Sequence, residues 1–141
     1  MPKITATAVP TAQRVSFLPM LFGPKLMMRG EAMLYDYAQQ LAPDSYQRGH
    51  WEFYTLSNGS GFAAPANPAL FRLQVTTNDY DGEMTADAAG IVFTLFALNT
   101  LMWEASGKDE ALTEKLIEHW DKLRDYVATH PEARSIYRAI D

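Results

Sequence analysis

The sequence predicts an α+β fold: a single domain in which a small antiparallel three-stranded sheet, a meander, is flanked by helices around a central buried helix. Three observations predict it. Residues 86–103 are apolar almost all round, and a helix of that kind is normally a buried one. Residues 70–76 alternate, with Phe71, Leu73 and Val75 on one face and Arg72 and Gln74 on the other, which suits an antiparallel sheet with one wetted side. The strand-like stretches are grouped together between helical ones, rather than alternating with them singly.

Taken in order, residues 1–14 read as a partly ordered N-terminal arm, broken by Pro2 and Pro10. Residues 15–23, VSFLPMLFG, form a compact apolar plug that Pro19 and the Gly23-Pro24 pair limit to a turn or two of helix. Residues 25–41 follow as a long helix, with Pro24 suited to its start and Met27, Gly30, Met33 or Leu34, Tyr37 and Leu41 facing inward. Glycine in that stripe costs about 1 kcal/mol against alanine, which close contact with another element would offset.

After a polar loop, residues 50–57 have strand composition, with Trp51 and Phe53 on one face and Tyr54 and Leu56 on the other. Asn58-Gly59-Ser60-Gly61 signals a hairpin, 62–64 is its short return strand, and 70–76 is the third strand. Thr85 is placed to cap the central helix, with Asp87 in its first turn, where the helix dipole favours an acid. Gly90, Thr94 and Ala97 make a small-residue stripe along it, where a neighbour could approach closely, while Val92, Phe96 and Trp103 cover an adjoining face. Gly107 ends this helix, Asp109 caps the next, and residues 109–129 are amphipathic through Leu112, Leu116, Leu123 and Val127, with Trp120 beside them. A last short helix, 132–140, turns Ile136 and Ile140 inward. The central helix carries Thr94, Asn99 and Thr100, too polar a set for a membrane span of about 20 apolar residues.

Charge limits the class of partner. The net charge of −5 comes from 12 Lys and Arg interspersed among 17 Asp and Glu. Tight DNA binding needs a basic stripe, and mimicry of DNA needs a dense run of unbalanced carboxylates, because the duplex carries a charge about every 1.7 Å of axis. Neither is present. The absence of cysteine excludes disulfides and thiolate metal sites and is compatible with a reducing compartment. The N-terminus lacks an apolar signal-peptide core.

Catalytic motifs are scarce. Ser57 and Ser60 lie in a turn without the G-x-S-x-G elbow, and His50, His119 and His130 are scattered without metal-ligand spacing. His119 reads as solvated on the polar side of its helix. Asp79, Asp81, Glu83 and Asp87 are the one carboxylate group dense enough for a hard cation, yet they lack the calcium-loop pattern, and a turn leading into a helix N-terminus explains them. The expectation is therefore a protein that is not an enzyme, with no catalytic residue, no metal and no cofactor. Four residues are required least by the local folding pattern: Arg14, Arg29, Glu31 and Trp51. They are the candidate partner-binding residues, with an exposed Trp51 as anchor and arginine for planar recognition of a carboxylate. The alternative is that Arg29 and Glu31 hold the helix to the sheet by ion pairs and Trp51 fills the core.

Four segments go further: RVSFLPMLFGPKLMMRGEAMLY, HWEFYTLSNGSGF, DGEMTADAAGIVFTLFALN and HPEARSIYRAID, in a stretch running from about Val9 to the end. They resemble the ArdB/KlcA antirestriction family. The resemblance implies a cytoplasmic accessory protein of mobile genetic elements such as plasmids, protecting DNA from type I restriction–modification enzymes. It implies a protein partner, a restriction–modification component or an associated host factor, with neither tight DNA binding nor a membrane. The alternative is a hydrolase or metal-dependent enzyme using the carboxylates between Asp79 and Asp87.

Overall fold

A computed structural model describes residues 3–141. At its centre stands helix α3, Ala86–Ala105. Thr85 caps it as expected, its hydroxyl accepting from the Ala88 N–H at 3.2 Å, and Asp87 lies in the first turn. From Ala88 to Leu95 every side chain is buried, because α3 is surrounded by other elements of the chain. By length and composition alone α3 could cross a membrane, and here it is the core helix.

What lies against the small-residue stripe is the edge of a sheet. Strands β1 (Ala6–Ala8), β2 (Trp51–Leu56) and β3 (Gly61–Pro65) form a three-stranded antiparallel sheet in that order. The ladder bonds of the hairpin fall at Leu56 with Ser60 and at His50 with Ala66. By alternation, the Ala63 N–H and C=O then point away from β2, at an open edge. Thr94 closes that edge: its hydroxyl accepts from the Ala63 N–H at 3.1 Å, and lies 2.8 Å from the Gly90 carbonyl and 3.3 Å from the Ala63 carbonyl as donor. Gly90 permits the approach, since a Cβ there would come within 2.3 Å of the Ala64 Cβ and 2.5 Å of the Ala63 oxygen.

The third strand of the expected meander belongs elsewhere. β4 (Leu70–Val75) turns its alternate side chains inward as the pattern requires, but pairs with β5 (Tyr80–Thr85) in a separate two-stranded sheet. The turn between them runs through Asp79 at φ 52°, a left-handed conformation that aspartate tolerates. β3 had no edge to offer β4 because α3 occupies it. The three-stranded sheet is completed instead by β1, from the segment expected to be a partly ordered arm.

The remaining helices wrap this centre. α1 (Phe17–Phe22) sets Phe22 against Gly30 of α2 (Met27–Leu41), where a Cβ would fall 2.2 Å from the ring. That contact accounts for the glycine. The buried stripe of α2 is Gly30, Leu34, Ala38 and Leu41, with Met27 left partly exposed. Gly107, at φ 81°, turns the chain from α3 into α4 (Glu110–Val127), which Asp109 caps through the Leu112 N–H at 3.1 Å. α5 (Ala133–Ile140) closes the fold with Ile136 and Ala139 inward and Ile140 half-buried.

Two substitutions test the edge contact by chemical denaturation. Thr94→Val leaves the buried Ala63 N–H without its acceptor and is expected to cost about 1–3 kcal/mol, whereas Thr94→Ser keeps most of the stability. Gly90→Ala is expected to destabilise by about 1–3 kcal/mol through overpacking, against the gain of about 1 kcal/mol that helix propensity alone would give.

Candidate functional site: an aromatic pocket beside helix α2

The outer face of α2 presents Ala32, Tyr35, Asp36 and Gln39, spaced so that all four share one side of the helix. The loop after α2 folds back over them. The Ala42 carbonyl accepts from the N–H groups of Ser45 and Tyr46, which starts the loop's return, and Tyr46, Arg48 and Gly49 form the opposite wall. The resulting pocket has a volume of about 470 Å³. Beneath it lies Trp51, whose Nε1–H donates to the Tyr46 hydroxyl at 3.2 Å. Tyr35 and Tyr46 meet the indole edge-on, with centroids 5.6 and 5.9 Å away and interplanar angles of 63° and 70°.

Of the four sequence-selected residues, three cluster behind Tyr35, and none of them lines the pocket itself. Arg14 donates from Nη2 to the Trp51 carbonyl at 2.9 Å and lies 4.2 Å over the Phe53 ring. Glu31, half-buried one turn before Tyr35, stands beside its hydroxyl. Burial first, then the Glu31 charge, pushes the Tyr35 phenol above its ordinary range.

Trp51 corrects the expectation of an exposed anchor. It is 4% exposed, packed also against Phe93, and supports the two tyrosines from behind rather than offering a contact. The exposed tryptophan is Trp103, at 74%, on the side of α3 that its neighbours leave open. Arg29 is apart from the pocket and does not pair with Glu31. It forms a bidentate pair with Glu104 of α3 at 2.6 and 3.1 Å, which pushes the arginine up and holds the Glu104 carboxyl below its usual range.

Ser60, His119 and His130 resolve into fastenings, whereas His50 is exposed beside Glu52. Ser60 is fully buried and donates to the His119 carbonyl at 2.9 Å, and Asn58 donates to the Lys122 carbonyl at 2.9 Å, so the hairpin turn is tied to α4. His119 is therefore not solvated as its polar helix face implied. It is half-buried with Nδ1 3.3 Å from the Ser60 hydroxyl, and desolvation lowers its pKa.

His130 accepts the Glu132 N–H at Nδ1 and so donates from Nε2 to Asp87, at 2.8 Å. Glu132 accepts from both the N–H and the hydroxyl of Thr85. The start of α5 thereby clamps the start of α3.

The carboxylate group predicted around Asp81 is dispersed. Asp81 forms a bidentate pair with Arg72 across the β4–β5 ladder at 2.8 and 2.9 Å, and Asp87 faces His130. Among the described residues no three His, Asp or Glu converge as a metal site.

The family model for antirestriction proteins matches residues 44–141. The chain belongs to the antirestriction protein family. An antirestriction protein KlcA of Escherichia coli is 48% identical over 138 residues, covering 98% of this chain and 95% of that one. A second Escherichia coli KlcA is 46% identical, over 98% of this chain and 94% of the relative.

The solved structure of the KlcA and ArdB proteins superposes with a TM-score of 0.88 at 44% identity, covering 100% of this chain and 99% of the other. Those proteins are described as having a novel fold and antirestriction activity against type I restriction systems in vivo but not in vitro. The motifs by which this antirestriction family is recognised in the sequence meet inside the fold: TADAAG is the capped start of α3, and HPEA is the clamp upon it.

Two outcomes follow from these fastenings. Glu132→Gln weakens two charge-assisted hydrogen bonds and is expected to lower unfolding free energy by about 1.5–3 kcal/mol, measured in urea. For His119 the fold favours the neutral ring, so the linked stability is complete above the ordinary value near 6.5 and lost as pH falls below it toward the depressed folded value. The melting temperature is expected to drop more between pH 7.5 and 5.5 in the natural protein than in a His119→Gln variant.

Proposed function

We propose that this protein protects DNA from type I restriction–modification enzymes inside the cell, and that it does so by contacting protein rather than by catalysis or by imitating DNA. The observation that carries this is the likeness over essentially the whole chain, in sequence and in fold, to KlcA and ArdB. Their activity in vivo but not in vitro favours a mechanism that depends on a cellular component besides the restriction enzyme. A net charge of −5 with both signs interspersed supports a partner other than DNA. Its work is cytoplasmic and needs neither metal nor cofactor. The enzyme alternative built on Asp79, Asp81, Glu83 and Asp87 loses its support when Asp81 is held by Arg72 and Asp87 by His130.

The partner surface in this reading includes Arg14 and Glu31 beside the α2 pocket, with Trp51 buried behind its tyrosines. Arg29, exposed on the side of α2 facing α3, lies at its margin.

Plating unmodified phage on a host with a type I system, with and without expression, tests the function. Plating efficiency is expected to rise on expression while host methylation stays intact; equal restriction with soluble protein present would overturn the reading. Within that assay, Glu31→Gln and Arg29→Gln are expected to lower protection with little change in melting temperature. Trp51→Ala is expected to lose about 3–5 kcal/mol of stability, so its loss of protection would report folding.

A further inference from the structure

The α2 pocket carries two charges without an ion-pair partner, of which Asp36 feels the charge of Arg29 one stretch of helix away. Asp36 on the helix wall and Arg48 on the loop wall form no ion pair with each other or with any other described residue. Between them stand Tyr35, 41% exposed, and Tyr46, half-buried. Both rings are fixed at steep angles to the buried Trp51 behind them, and Tyr46 is held further by the indole N–H. Tyrosine faces are electronegative and attract a cation placed over them, more strongly where water is partly excluded. Glu31 beside the Tyr35 hydroxyl adds a second negative group on the same helix. Arg14 opposes Glu31 at the Tyr35 hydroxyl but more weakly, so the helix wall favours positive charge, while Arg48 lies exposed at the opposite lip.

We propose that this pocket is a recognition site for an arginine side chain of the partner protein, inserted against Tyr35 and Tyr46 with its guanidinium on Asp36, and with a neighbouring acidic residue of the partner meeting Arg48. Arginine suits it better than lysine because the planar guanidinium stacks on an aromatic ring while presenting a donor fork to a carboxylate. The cavity's 470 Å³ lies within the roughly 300–1,000 Å³ typical of ligand pockets. The inference rests on the protein-contact reading proposed above and adds to it the chemistry of the contact.

Titration with N-acetyl-arginine amide, followed by the ring resonances of Tyr35 and Tyr46, tests the pocket without any restriction system. A saturable shift is expected, absent with the uncharged citrulline analogue. Asp36→Asn and Tyr35→Leu should weaken it by about fivefold or more, the equivalent of about 1 kcal/mol, whereas Asp36→Glu and Tyr35→Phe should retain it. In the phage assay the same two disruptive variants should lose protection and the two conservative ones keep it, with all four melting near the natural protein.

No saturable shift, or equal titration by all four variants, would overturn the proposal. Saturation by inorganic phosphate or adenosine monophosphate with the arginine amide inert would overturn it in favour of an anion site at Arg48. Full protection by Asp36→Asn and Tyr35→Leu would reject the pocket and leave the antirestriction reading standing. Absence of protection by the natural protein would reject that reading, and the titration would still decide what the pocket binds.

Discussion

The fold depends on one contact, that of Gly90 and Thr94 of α3 with the open edge of β3. A strand edge presents unpaired N–H and C=O groups that must be covered or wetted. Here every residue of β3 is buried, so water is not available to it. Covering the edge requires a helix whose backbone comes unusually near and which carries a hydroxyl at the right height. Glycine provides the approach, and threonine the hydroxyl that accepts from the Ala63 N–H and shares its one proton between the Gly90 and Ala63 carbonyls. The division into two sheets follows, because the edge on which β4 could have paired is taken. β4 finds its partner in β5, which runs directly into the capped start of α3.

The central helix was legible in the sequence because a run apolar on all sides has no place but the interior. The stripes of α4 and the alternation of β4 were legible for the corresponding reason, each having one wet face. β5 was not, since YDGEMT places its acids on the outward positions and looks like a turn; only Tyr80 and Met84, four apart, report the buried face. β1 was not, since all three of its residues are exposed and its pairing depends on β2, which follows some forty residues later.

The placement of the candidate residues was legible in part. Arg14, Glu31 and Trp51 converge as a group, although nothing in their spacing relates a 3-10 turn, a helix and a strand. The error was in which tryptophan is exposed. A strand beginning after a polar loop left Trp51 ambiguous, and its burial under Tyr35 and Tyr46 is a tertiary fact. Trp103 looked buried by association with its apolar helix, but α2 and α4 leave that side of α3 open near its end. His119 and His130 were similarly hidden, because a polar helix face and a loop say nothing of the hairpin and helix terminus that meet them. Two of the stretches that identify the family, TADAAG and HPEA, serve packing and capping, and these announce a fold more plainly than a mechanism.

Native-state hydrogen exchange at the Ala63 amide tests the account's central claim most directly. If α3 locks the edge of β3, that amide opens only when the molecule unfolds, with the same free energy and denaturant dependence as the amides in the middle of α3. Exchange of Ala63 through a smaller local opening, while α3 remains protected, would show that the edge is held by something other than this helix.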